Sequence, residues 1–176
     1  MSQKITVSIQ MDEKCMHDFV VFDLLRHQKG WQRPAVFAAI LLVCSGICMS
    51  QIGKRSGAGL LTAVLAIVAI GLPAVYFGTF ARNLSAQIKK LHLPRPFYRL
   101  EMDGTGLSVW MVGSMDKTEP TSQHPWNTVY CAYRVADAVY IYAQKNQAYL
   151  LNDGIDAAWG LLTQVLPADK LHDCRK

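Results

Sequence analysis

The chain has 176 residues, a formal net charge of +5 and 51% hydrophobic residues. That length suits one domain, or one domain with a membrane anchor. Five cysteines, odd in number and without tight spacing, exclude a disulfide framework. The basic residues crowd the ends of two apolar runs, which argues against a nucleic-acid surface.

Ile5, Val7, Ile9 and Met11 alternate with Thr6, Ser8 and Gln10, the period of a half-buried strand. Asp12 is placed to cap a helix with Glu13 in its first turn. From Cys15 to Arg26 the apolar residues 15, 16, 19, 22 and 25 form a stripe, with 20 and 24 beside it. This predicts an amphipathic helix that packs on a soluble domain or lies at an interface. Trp31, after the polar joint 28–33, suits the headgroup level of a bilayer.

Between Pro34 and Gly53, and again between Ser56 and Ala81, there is no Asp, Glu, Lys or Arg. A hydrocarbon core of about 30 Å needs roughly 20 helical residues, and both runs reach that length. The pattern predicts two spans, at about 34–52 and 58–80, joined by a turn short enough to make them antiparallel neighbours. The first run starts too late for a cleaved signal peptide. Cys44 and Cys48, one turn apart inside it, read as small apolar residues. Pro73 removes a backbone hydrogen bond from the second span and predicts a kink. Neither span holds a side chain suited to a proton or ion path, so the hairpin reads as an anchor.

Beyond Phe80 come Arg82, Lys89, Lys90, Arg95 and Arg99 with no acidic residue among them. Residues 81–96 read as a basic juxtamembrane linker ended by Pro94 and Pro96. Of these cations Arg82, Lys89, Lys90 and Arg95 are the candidate contacts to lipid head groups, each contributing about 1 kcal/mol of attraction to an anionic surface. The same charges also set topology. Arg26, Lys29 and Arg33 on one flank and Arg82, Lys89, Lys90 and Arg95 on the other outnumber Lys54 and Arg55 in the turn. The positive-inside rule then puts both termini in the cytosol, in a two-span cell-membrane protein.

From Phe97 the pattern is β. Strands at 97–102 and 107–112 flank the turn Asp103-Gly104-Thr105-Gly106. Residues 113–125 read as a polar loop, 126–133 as a strand, and 138–143 with 148–151 as a hairpin. A helix begins near Asp156 and stops at Pro167, with Trp159 and Leu162 expected against the sheet. The strand at 4–11 is free to join that sheet. The fold class is therefore an α+β membrane protein: N-terminal strand and helix at 1–33, a transmembrane hairpin at 34–80, the linker at 81–96, and a small antiparallel β-domain closed by a C-terminal helix at 97–176.

This order resembles the YcxB-like family of bacterial membrane proteins. The resemblance rests on residues 97–107 (Phe-Tyr-Arg-Leu-Glu-Met-Asp-Gly-Thr-Gly-Leu), 124–129 (His-Pro-Trp-Asn-Thr-Val), 138–142 (Ala-Val-Tyr-Ile-Tyr) and 148–151 (Ala-Tyr-Leu-Leu). It implies a PH-like sheet closed by the last helix, with no catalytic residues to carry over.

The chemistry-bearing residues do not form a constellation in sequence. His17-Asp18 and His172-Asp173 are adjacent pairs, which do not face each other on a helix. Gly53-Lys54-Arg55-Ser56 lacks the upstream glycine and strand of a phosphate loop. His92, His124 and Cys131 are not at metal-ligand spacing. The expectation is a non-enzymatic membrane-anchored protein presenting a cytosolic PH-like interaction domain, with no cofactor, metal or nucleic acid. Its partners are membrane lipids and a membrane or cytosolic protein, with oligomeric state left open. The alternative is a sensor of anionic lipid head groups at the inner leaflet.

Overall fold

The computed structural model of the chain describes residues 4–111 and 119–175, with the backbone alone for Arg95. The chain divides into two compact units, Met1–Phe19 with His92–Lys176, and Val20–Leu91. The first is α+β and the second is helical.

In the first unit, β1 (Ile5–Met11), β2 (Arg95–Met102), β3 (Gly106–Met111) and β4 (Ser122–Pro125) form an antiparallel sheet in that order. A second sheet has the order β7-β6-β5-β8, where β5 is Cys131–Arg134, β6 Val139–Gln144, β7 Gln147–Leu151 and β8 Leu171–Asp173. The N-terminal strand joins the sheet beside β2 and is half-buried as its alternation predicts, with Val7, Ile9 and Met11 buried and Thr6, Ser8 and Gln10 not. The core is completed by Leu100, Met102, Leu107 and Val109 from the first sheet and Ile141, Leu150 and Leu151 from the second. β6 is buried from Val139 to Ala143 on both faces, the environment of a strand covered on two sides.

Two turns in this unit depend on particular side chains. Asp103 Oδ1 accepts the N–H groups of Thr105 (2.7 Å) and Gly106 (3.1 Å) and the Thr105 hydroxyl, which closes the β2–β3 hairpin. These bonds, that from the Thr105 side chain foremost, hold the Asp103 carboxyl below its usual range. A side chain at Gly106 would put its Cβ 2.6 Å from the His124 carbonyl oxygen, so β4 can pair there only with glycine. At the N-terminal end, Asp12 Oδ1 accepts the Cys15 N–H at 2.6 Å, the cap its position foretold.

Several elements differ from the sequence expectation. The helix expected to reach Arg26 is α1 (Glu13–Phe22) followed by a π turn, Asp23–His27. There the Gln28 N–H reaches Asp23 O at 2.8 Å and the Gln28 amide holds the Asp23 carboxylate at 2.6 Å. The strand expected at 126–133 begins only at Cys131. The Trp126 indole N–H donates to Asp103 O at 2.8 Å, and Thr128 N–H to Pro125 O, so the chain turns instead. Ser122–Pro125, inside the expected loop, pairs with β3 despite its polar composition; residues 113–118 of that loop lie outside the described residues. β8 was not expected at all and runs parallel to β5. The closing helix α4 (Ile155–Val165) buries Ala158, Leu161 and Leu162, while Trp159 is only half-buried beneath the Arg134 guanidinium, 5.9 Å from its ring centre.

A buried phenol ties the two sheets together. Tyr98 of β2 donates to Leu150 O at 2.9 Å and accepts the Leu150 N–H at 2.6 Å. Burial, above all, keeps this hydroxyl protonated well beyond the usual phenol range. Leu150 sits on β7, the end strand of its sheet, so the hydroxyl fills the place of a missing neighbouring strand. Asn152 Nδ2 adds a bond to Gln10 O of β1 at 2.8 Å. Tyr98→Phe keeps the ring and removes both bonds, leaving a buried N–H and C=O unsatisfied. Denaturant titration of the full-length protein in detergent should show a loss of about 2–6 kcal/mol, counting about 1–3 kcal/mol for each of the two orphaned groups; an unchanged midpoint would refute this account of sheet closure.

Candidate membrane interface and polar cluster

The helical unit contains α2 (Gln32–Met49) and α3 (Ala58–Lys90), joined by a turn at Gly53 and Gly57, both at positive φ. Both helices are long and apolar enough to cross a membrane. Only 6% of either apolar window is buried, which separates them from the core helices of a globular domain. The boundaries differ from expectation. α2 starts two residues early, at Gln32, because the preceding segment ends at Lys29 (φ 51°) and Gly30. A Cβ on Gly30 would lie 2.6 Å from Leu24 Cδ1. α3 runs on for ten residues past Phe80, so most of the expected linker is helix. Residues 81–90 contain no glycine or proline, and Leu84 and Ile88, one turn apart, are both buried. The helix ends at Lys90, ahead of Pro94.

A polar contact sets the register of the two helices. Ser45 Oγ donates to Thr62 O at 3.1 Å, and Thr62 Oγ1 donates to Ala58 O at 2.9 Å. Trp31 lies fourteen residues before Ser45, and Tyr76 fourteen after Thr62. At about 1.5 Å per residue the two aromatics stand at one level, about 27 Å from the ends of their helices at Met49 and Ala58. Both are exposed, and Tyr76 packs edge-on against Phe77 at 5.2 Å. Cys44 and Cys48 are free, in line with their reading as apolar fillers.

The candidate lipid contacts do not share one place. Arg82 and Lys89 lie two turns apart on the same exposed face of α3, beside Ser85 and Ala86, and line one open depression with Ala81. This face is opposite Leu84 and Ile88. Lys90 is exposed on a different side of the helix. Arg95 is in β2, opposite Met11. Arg99 is drawn into the β-unit, 4.9 Å over the Trp110 ring and 3.9 Å from Glu101. Sequence reasoning used Arg33 for topology alone. The structure places it with Gln32, Val36, Phe37 and Ile40 around a depression of about 410 Å³ on α2. The signal was in the spacing: 32, 33, 36, 37 and 40 share one helical face.

The β-unit holds one convergent polar cluster. The Tyr149 hydroxyl meets His124 Nε2 at 3.0 Å, Ser122 Oγ at 3.3 Å and the Gln147 amide, which donates to it, at 2.7 Å. Ser122 and His124 therefore meet through the phenol, without the direct contact that a nucleophile and its base require. No carboxylate orients His124 among the described residues. The arrangement is a hydrogen-bond hub joining β4 to β7. A second cleft, along β5 and β8, is lined by Tyr130, Cys131, Tyr133, Lys170 and His172, with the His172 ring stacked on Tyr133 at 4.8 Å. Lys170 Nζ donates to Val129 O at 2.6 Å, and burial raises the Cys131 thiol above its usual range, so neither is poised as a nucleophile. Among the described residues no group of three His, Cys, Asp or Glu could hold a metal ion.

Compared with protein-family models, curated proteins and solved structures, the chain matches none.

Two tests follow from this geometry. Ile67, near the middle of the apolar run 58–80 of α3, is 69% exposed. Ile67→Arg would be harmless on a water-exposed helix, whereas a central arginine in a bilayer costs about 2.5–3.5 kcal/mol on insertion scales. Loss of membrane-fraction protein in the variant is the expected result, and parental accumulation would reject the span. The second test concerns His124, whose pKa burial lowers. The folded protein resists protonating it, so its contribution to stability is complete above the unfolded value of about 6.5 and is lost as pH falls through the lower folded value. His124→Gln should flatten that part of the pH–stability curve measured by urea denaturation; an unchanged slope would show that the hub does not titrate.

Proposed function

We propose that the chain is a non-enzymatic, two-span membrane protein whose hairpin anchors a cytosolic interaction domain. The observation carrying this reading is the pairing of β1 with β2. These strands lie on either side of the hairpin in sequence, yet they share a ladder from Ile5↔Met102 to Met11↔Arg95. A domain built from both flanks requires the chain to enter and leave the bilayer on the same side, which two spans achieve and one or three do not. The distance from the Trp31 and Tyr76 level to the turn, about 27 Å, fits a hydrocarbon core of about 30 Å with an aromatic belt at one surface. The excess of cations on the domain side favours the cytosol.

The PH-like character implied by the YcxB-like resemblance is part of the proposal. It is supported by a four-strand meander, a three-strand meander and a following helix, in that order. The interaction surface we favour is β8, a short strand at the end of the second sheet with His172 and Asp173 exposed, since end strands offer backbone groups to an extended peptide. The alternative, sensing of anionic lipid, is favoured by the exposed Arg82–Lys89 face.

Topology is tested with a membrane-impermeant maleimide on intact cells, using single-cysteine chains. A cysteine at Ser56 should be labelled and Cys174 should not, and external labelling of Cys174 would reverse the orientation. For the interaction surface, a photo-crosslinking residue at His172 should give a discrete adduct in cells that is absent when the same residue replaces exposed Lys145. No adduct, or equal adducts at both, would reject β8 as the interface.

A further inference from the structure

Resting on the membrane reading, we infer that the face of α2 formed by Gln32, Arg33, Val36, Phe37 and Ile40 is a binding site for one anionic phospholipid of the domain-side leaflet, its phosphate on Arg33 and its acyl chain along Val36, Phe37 and Ile40. Three observations carry the inference. These side chains surround a depression on the exposed face of the helix, with the cation at one end and the apolar residues running one to two turns towards the bilayer centre. Phe37 and Ile40 are 49% and 55% exposed, so the apolar lining is open to an acyl chain. The guanidinium has no carboxylate to pair with: residues 24–100 contain no Asp or Glu while holding ten Lys and Arg, and the described residues give Arg33 no ion pair. A planar guanidinium near the bilayer surface, without a protein counter-ion, is matched by a phosphate diester, which it can bind through two parallel hydrogen bonds.

Depth separates Arg33 from the cations of α3. It lies two residues inward of Trp31, about 3 Å below the aromatic level, where a long side chain can reach up to phosphate while its stem stays among acyl chains. Arg82 is about 9 Å outside Tyr76, and Lys89 about 20 Å outside it. At physiological salt the Debye length is about 8 Å, so Lys89 and Lys90 act on the headgroup layer only through a strongly screened field. The mixed character, a cation joined to an apolar slope, distinguishes this face from the Arg82–Lys89 face, which is lined otherwise by Ala81, Ser85 and Ala86 and offers little to a chain.

Trp31, adjacent to the site, reports on it. The test uses full-length protein in phosphatidylcholine vesicles carrying a small fraction of phosphatidylglycerol or phosphatidylcholine brominated near the carbonyl end of the acyl chain. The Trp31 signal is the difference in fluorescence between the parent and Trp31→Phe. Quenching should show about fivefold preference for the brominated phosphatidylglycerol, the enrichment one surface cation produces. Arg33→Gln should abolish the preference, and Arg82→Gln should leave most of it. Equal quenching by the two lipids, or equal loss in both variants, would overturn the site while leaving the anchor intact. No quenching of Trp31 even in wholly brominated phosphatidylcholine would overturn the membrane reading itself. Quenching of Arg33→Gln by brominated phosphatidylcholine at the parental level shows that the variant inserts, so a lost preference is not a lost fold.

Discussion

The ladder between Ile5–Met11 and Arg95–Met102 closes a loop made of residues 12–94. Bringing the ends of so long a segment together costs conformational entropy, although that cost grows only with the logarithm of length. Two antiparallel helices reduce it further, because once α2 and α3 are side by side the chain already returns towards its starting level. The Ser45–Thr62 contact sets how far back it comes. The β-unit and the hairpin are thus coupled through covalent topology: the sheet needs its first strand from one side of the hairpin and the rest from the other. Under the proposed membrane reading, a span lost from the hairpin deprives the sheet of β1 as well as weakening the anchor.

Within the β-unit the polar groups complete what the backbone leaves open. The two sheets do not continue into each other by strand pairing. Tyr98 bonds both backbone groups of Leu150, Asn152 reaches Gln10 O, and Tyr149 gathers Ser122, His124 and Gln147. Each of these groups would be costly if buried alone, and each is satisfied across a gap between strands. This explains why residues that look reactive in a list, a serine and a histidine two apart on one strand, are structural here. Their shared partner is a phenol whose other contacts are an amide and an aromatic edge.

The helical unit shows how charge placement and helix length act together. α3, with 33 residues, is far longer than a hydrocarbon core requires. Its excess length carries Arg82, Lys89 and Lys90 away from the aromatic level in steps of 1.5 Å per residue. Arg82 and Lys89 are therefore separated along the helix by about 10 Å, more than a Debye length, and under the proposed membrane reading they meet different layers of the headgroup region. Counting charges per flank gives an orientation; assigning contacts needs the register of the helices.

The sequence by itself determined the features that depend on local pattern. Two uncharged runs of span length, the alternation at residues 5–11, the Asp12 cap, the Asp103–Gly106 hairpin and the closing helix were all legible, because each follows from periodicity or from the chemistry of a few adjacent residues. That the first strand joins the sheet could be suggested, but neither its neighbour β2 nor its register. What only the tertiary structure decided was long-range: that Ser122–Pro125 pairs as a strand, that Leu171–Asp173 returns alongside β5, that Trp126 turns the chain by bonding Asp103, and that Arg99 is drawn over Trp110. None of these leaves a strong local trace. A polar edge strand has no hydrophobic alternation, a three-residue strand is shorter than any periodic window, and where Arg99 settles depends on the ring it meets on the neighbouring strand.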